Sequence, residues 1–158
     1  MHKNMVNNKV MVVGLGYVGL PTAAVIADHG FEVIGYDVNK LAVETINSGR
    51  AHIVEEGLDE LINKLVKSKR LVARAEPEEA DIFIITVPTP ITSEKKSDLT
   101  YVESAFKSIS EFLKKGDLII LESTSPVGTT QMMCELISSS RPDLKAPSLD
   151  STDSDINI

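Results

Sequence analysis

Gly14, Gly16 and Gly19 stand in "GLGYVG", and Asp37 closes the apolar stretch "FEVIGYD" that follows. Glycines at this spacing suit a phosphate ligand. Gly14 would permit a tight turn, Gly16 would let the backbone approach a pyrophosphate, and Gly19 would let a helix lie close to a strand. The first amides of that helix, with their partial positive charge, would face the phosphates. An acid ending the next strand can accept both hydroxyls of an adenosine ribose and repels a 2′-phosphate. The pattern predicts a dinucleotide site that takes NAD in preference to NADP. Glycines at this spacing also occur in ordinary turns, so the flanking elements decide.

Those elements are of the required kinds. "KVMVVG" (9–14) is a short apolar run that reads as a buried strand. Residues 18–29 read as a helix, with Pro21 tolerated in its first turn and Gly30 ending it. "EVIGYD" (32–37) is a second strand. "KLAVETINS" predicts a helix, and the spacing of Leu58, Leu61, Ile62 and Leu65 predicts another. "RLVAR" (70–74), "DIFIITV" (81–87) and "DLIILES" (117–123) complete the strands. Thr100 and Glu103 form a capping-box pattern that opens a helix, and Gly116 is the expected stop. A last helix follows Pro126. Continuously apolar strands alternating with helices predict a parallel sheet covered on both faces. The expected class is α/β: a Rossmann-type, doubly wound, three-layer αβα sheet in strand order 3-2-1-4-5. The terminal "INI" hints at a sixth strand.

Such sheets bind ligands beyond the carboxyl ends of their strands. "VPTP" (87–90), with Pro88 and Thr89, follows the fourth strand there. "ESTSPVGTT" (122–130) follows the fifth and offers hydroxyls at Ser123, Thr124, Ser125, Thr129 and Thr130. Turn and cap chemistry favours the same residue types, so spacing alone leaves both roles open. Cys134 has no histidine close in sequence and reads as a half-buried structural thiol. His29 and His52 lack a metal-ligand partner at usable spacing, so no metal site is expected. Glu55 and Glu56 favour the start of the helix around Leu58 rather than a carboxylate pair.

Composition narrows the partners. The chain has 158 residues, 42% of them apolar, which suits one domain with a real core. A net charge of −7 leaves no basic stripe for nucleic acid. No apolar run reaches the ~18 residues of a membrane helix. The polar opening "MHKNMVNN" does not read as a secretory signal, and the single cysteine excludes an internal disulfide. A cytoplasmic location is expected.

Five stretches together, "GLGYVGLPTAA", "INSGRAHIVEEGLDELI", "VPTP", "DLTYVESAFKSI" and "LKKGDLIILESTSPVGTT", resemble the N-terminal domain of the UDP-sugar dehydrogenases. Within that family the likeness is greatest to the members that oxidise UDP-N-acetyl-D-mannosamine. It runs from about Lys9 to Lys145. The resemblance implies oxidation of a sugar C6 hydroxyl to a carboxylate in two steps with two NAD+, by a homo-oligomeric parent. It implies cofactor contacts at Tyr17, Val18, Asp37, Thr89 and Thr130, and a water-organising role near the reacting carbon for Thr124. The family's nucleophilic cysteine, its lysine and most of its UDP-sugar site belong to a later part. Residues 1–8 are therefore expected as a flexible N-terminus and 9–145 as the NAD-binding domain. Residues 146–158 are expected as a loop or tail cut off before a central helix and a UDP-sugar-binding domain, with flexibility beginning at Pro142. A stand-alone NAD-binding module and a β-hydroxyacid dehydrogenase are the alternatives. The latter family lacks the long "ESTSPVGTT" and "INSGRAHIVEEGL" matches.

Overall fold

The computed structural model of the chain describes residues 8–148 and 153–158. The elements follow in the order β1 (Lys9–Val13), α1 (Gly19–Asp28), β2 (Glu32–Tyr36), α2 (Lys40–Asn47), α3 (Leu58–Lys67) and β3 (Leu71–Arg74). They continue with β4 (Ile82–Ile85), α4 (Thr100–Ser110), β5 (Leu118–Leu121) and α5 (Thr129–Ser140). The five strands form one sheet in the order β3-β2-β1-β4-β5. Every neighbouring pair is parallel, with Val10 beside Val33 and Ile82 in the central register. The expected Rossmann-type order is the observed one.

Alternation along β1 divides the core. Val10 and Val12 face α1, α2 and α3, where they pack with Ala23, Ala27, Ile46, Ile62 and Leu65. Met11 and Val13 face the opposite layer, with Phe106 and Ile109 of α4 and Met133 and Ile137 of α5. A strand buried on both faces must be apolar at every position, which is why "VMVV" shows no polar alternation.

Two local expectations give way. Thr100 does not cap α4: Leu99 occupies that place without a side-chain bond. Asp98 instead accepts from the Thr100 amide at 2.9 Å and from the Thr100 hydroxyl. A carboxylate is the stronger acceptor, and it draws off the hydroxyl that a capping box would use. Helix α4 also ends at Ser110, well before Gly116. Arg141 closes that end, its Nη1 donating to Ser110 O of the helix and to Leu113 O just beyond it, each at 2.8 Å. Gly116, at φ +94°, serves the turn into β5 instead.

The described part of the C-terminal segment is tied down rather than loose. Leu144 and Ile156 are buried. The Gly116 amide donates to Asp155 O at 2.7 Å, and the Lys145 amide donates to the Asp155 carboxylate at 2.9 Å. Asn157 makes one parallel bridge with Leu118, so the sixth strand is present as a single pair. The flexible N-terminus expected over 1–8 lies, except for residue 8, outside the described residues, as do 149–152 of the tail.

Candidate functional site: a glycine turn at the end of the central strand

β1 leaves the sheet at Val13, and the next residues turn sharply into α1. Gly14 sits at φ +94°, a conformation that L side chains rarely adopt, and its amide donates to Tyr36 O at 2.8 Å. Gly19 needs its lack of a side chain for another reason. A Cβ there would collide with the Gly14 carbonyl and lie 2.5 Å from the Thr86 hydroxyl. Gly16 has neither constraint. Its φ is not positive, and nothing lies within 4 Å of where its Cβ would be. The protein's own packing therefore gives Gly16 no reason to be glycine.

The backbone around that open space is rich in donors. Leu20 N bonds to Gly16 O at 3.1 Å, which starts the helix. Among the described residues no acceptor is recorded for the amides of Gly16, Tyr17, Val18 or Gly19. The N-cap residue, Val18, makes no side-chain cap, and the first turn holds no acid. Tyr17 and Val18 are 76% and 54% exposed. The result is a bare helix N-terminus with unused N–H groups and no local carboxylate to compete for them, suited to an anion.

Asp37 follows β2 and stands beside the turn. Its Oδ2 accepts from Leu15 N at 2.7 Å, and its Oδ1 accepts from Asn39 N at 2.8 Å. Each oxygen keeps further lone-pair capacity for ribose hydroxyls. Two residues away, Asn39 caps α2 by accepting from the Leu41 and Ala42 amides.

The hydroxyl stretches divide in two. Ser123 is engaged within the fold, donating to Val87 O at 2.8 Å and joining the exits of β4 and β5. Thr129 donates to Pro126 O at 2.7 Å. No side-chain bond is recorded for Thr89, Thr124 or Thr130, and Thr124 and Thr130 are exposed. Pro88 and Thr89 leave β4 and Thr124 leaves β5 at the same sheet edge as the glycine turn, since the strands are parallel.

Thr86, which the sequence reading did not single out, stands against the glycine turn. It is 8% exposed, and its Oγ1 lies 2.7 Å from Gly14 O and 3.0 Å from Val13 O. The signal was a lone polar residue closing the apolar run "DIFIIT".

Cys134 lies away from the turn. It lines a cavity of about 770 Å³ with Glu135, Ser138, Pro147 and Ile158, and of the predicted cofactor contacts only Thr130 reaches that cavity. Burial pushes its thiol above the ordinary range, with Glu135 adding to the effect, so it is not a poised thiolate. No group of three His, Cys, Asp or Glu side chains among the described residues could hold a metal ion. No helix of the described residues is long and apolar enough to cross a membrane.

A parallel sheet in this order, with a glycine turn of this geometry ending its central strand, is a Rossmann-type dinucleotide-binding domain. Known proteins agree. A Ralstonia nicotianae protein named NDP-N-acetyl-D-galactosaminuronic acid dehydrogenase is 52% identical over 94% of this chain and 35% of its own length. A Yersinia pestis UDP-N-acetyl-D-mannosamine dehydrogenase is also 52% identical, over 94% of this chain and 36% of its own. The solved UDP-N-acetyl-mannosamine dehydrogenase of Staphylococcus aureus superposes with a TM-score of 0.82 at 38% identity, over 94% of this chain and 35% of that one. The model of the UDP-glucose/GDP-mannose dehydrogenase family, NAD binding domain, matches residues 8–158. The chain belongs to that family and carries its NAD-binding domain. It spans about a third of the length of the curated relatives it matches.

Proposed function

We propose that this chain is the cofactor half of a UDP-N-acetyl-D-mannosamine 6-dehydrogenase. The observation that carries the cofactor site is Gly16, a glycine with no internal need to be one, set among unused amides. In this reading the amides of Gly16, Tyr17, Val18 and Gly19 hold the pyrophosphate, with Gly14 shaping the turn. Asp37 accepts the ribose hydroxyls and disfavours a 2′-phosphate. Pro88, Thr89, Thr124 and Thr130 border the nicotinamide end, with Thr124 positioned to hold a water. Bound NAD+ supplies the hydride acceptor.

The substrate assignment rests on likeness. UDP-N-acetyl-D-mannosamine is named for several relatives at 48–52% identity. Relatives at 51–52% are named for N-acetyl-D-galactosaminuronic acid, which favours a second reading with the same 2-acetamido class of sugar nucleotide. We place residues 9–145 as the NAD-binding domain and the sugar-nucleotide site in the part of the relatives that this chain does not cover. The setting we propose is a cytoplasmic homo-oligomer. A single free cysteine fits that compartment.

Alone, the chain is proposed to bind NAD without turnover. Oxidising an alcohol to an acid needs a base for the hydroxyl proton and a nucleophile to trap the aldehyde. The groups proposed to border the nicotinamide end offer hydroxyls rather than a lysine or a thiolate, and Cys134 is held as a thiol. Titrating the chain with NADH and following its fluorescence tests the cofactor reading, and absence of any enhancement would sink it. Assaying the longer gene product with UDP-N-acetyl-D-mannosamine and with UDP-glucose tests the substrate.

A further inference from the structure

The Gly14 carbonyl has one recorded partner among the described residues, the hydroxyl of Thr86 at 2.7 Å. That carbonyl lies directly beneath Gly19, where a Cβ would strike it. It lies against the first turn of α1. The same hydroxyl lies 3.0 Å from Val13 O, which already accepts from the Thr86 amide at 2.9 Å. The hydroxyl has one proton. Val13 O is satisfied without it, so Gly14 O is the acceptor that depends on it.

From this geometry we infer that Thr86 is a positioning residue for the dinucleotide site, acting through the Gly14 peptide. The inference rests on the proposed cofactor reading. Gly14 O fixes the plane of the Gly14–Leu15 peptide, and the following amides take their direction from that plane. From the opposite side Asp37 holds the Leu15 amide at 2.7 Å. The peptide is thus gripped at its oxygen by the residue after β4 and at its nitrogen by the residue after β2. Releasing the oxygen lets the carbonyl swing toward another donor, and the free amides of Gly16, Tyr17 and Val18 then lose their shared aim. A ligand held by several converging N–H groups is sensitive to such a tilt.

Three variants separate the hydroxyl from the bulk of the side chain. Thr86→Val puts a methyl group where the hydroxyl meets Gly14 O. Thr86→Ala removes the hydroxyl without introducing a clash, and it carries the test if the valine variant does not fold. Thr86→Ser keeps the hydroxyl and drops only the methyl. The readouts are NADH affinity by fluorescence titration, well below each variant's melting temperature, and the melting temperature itself. We expect Thr86→Val and Thr86→Ala to bind NADH roughly tenfold or more weakly, and Thr86→Ser to stay within about twofold of the parent chain. A purely structural Thr86 would lower the melting temperature of the alanine variant while its folded fraction bound NADH as tightly as the parent. That result overturns the inference, as does a serine variant that binds as poorly as alanine. A parent chain that fails to bind NADH would instead sink the cofactor reading itself.

Discussion

The carboxylate of Asp37 accepts a 2.7 Å hydrogen bond from the backbone nitrogen of Leu15. The acid proposed to read the ribose is therefore also a strut of the turn proposed to hold the phosphates. In the proposed reading, cofactor choice and turn geometry share one side chain. Substitutions at Asp37 should move both.

The first prediction follows from that sharing. The chain should bind NAD+ at least tenfold more tightly than NADP+, about 1.4 kcal/mol, because a 2′-phosphate would meet a fixed carboxylate. Asp37→Ala should narrow the preference, but NAD+ affinity and melting temperature should fall together as the Leu15 amide loses its partner. Calorimetric titration with both cofactors, beside a thermal melt, checks this. Equal affinity of the parent chain for NADP+ would remove the role given to Asp37.

Gly16 and Gly19 should respond oppositely. Gly16→Val meets open space at an ordinary backbone conformation, so stability should stay within about 0.5 kcal/mol. Its side chain would fill the proposed pyrophosphate space, and NADH binding should become undetectable. Gly19→Ala forces a Cβ onto the Gly14 carbonyl, and the cost should reach several kcal/mol, on the order of an overpacked core site. A valine at position 16 that leaves NADH binding intact would show that the ligand lies elsewhere.

Much of this was legible because it is local. The strand runs are apolar at every position, the helices carry apolar faces, and the glycine spacing sits between the two. The strand order then followed from the Rossmann-type pattern that the glycine turn and the alternating strands and helices mark. What escaped depends on residues distant in sequence. Thr86 reaches Gly14 across 72 positions, and Arg141 closes the end of α4 from 31 positions beyond Ser110. Gly116 looked like a helix stop because the guanidinium that satisfies those carbonyls lies in another segment. Thr100 looked like a cap because a hydroxyl in that place usually is one, and Asp98 outcompeted it.

The buried end of β5 gives a pH prediction. Asp117 is 1% exposed, and burial pushes its carboxyl above the ordinary value of 3.8, although Lys114 bonds to both its oxygens. A raised folded value means that the native state holds the proton at pH values where the unfolded chain has released it. This group's contribution to stability therefore falls as pH rises from about 3.8 through the raised folded value. Asp117→Asn should remove that part of the slope. Lys114→Met should lower the melting temperature at neutral pH by leaving a buried carboxylate without its cation, at about 1–3 kcal/mol. Urea unfolding of the three proteins between pH 3.5 and 7 compares the slopes, and identical slopes for parent and asparagine variant would contradict the assignment.

Cys134 should be irrelevant to chemistry. With the chain and UDP-N-acetyl-D-mannosamine both in excess, absorbance at 340 nm should stay flat, and Cys134→Ser should change nothing. Turnover that disappears in the serine variant would make that thiol the nucleophile.

The position of β1 in the middle of the sheet also sets when the site can exist. A chain leaving the ribosome presents Gly14 through Gly19 before the residues that bracket the turn, Tyr36, Asp37 and Thr86. Until β4 has emerged and closed against β1, the Gly14 carbonyl has no partner and the helix above it has no fixed seat. Contacts of such long sequence separation form slowly. The earliest-made part of the binding site is thus among the last to take shape, and a nascent chain halted before Thr86 should present the glycine motif without the ability to use it.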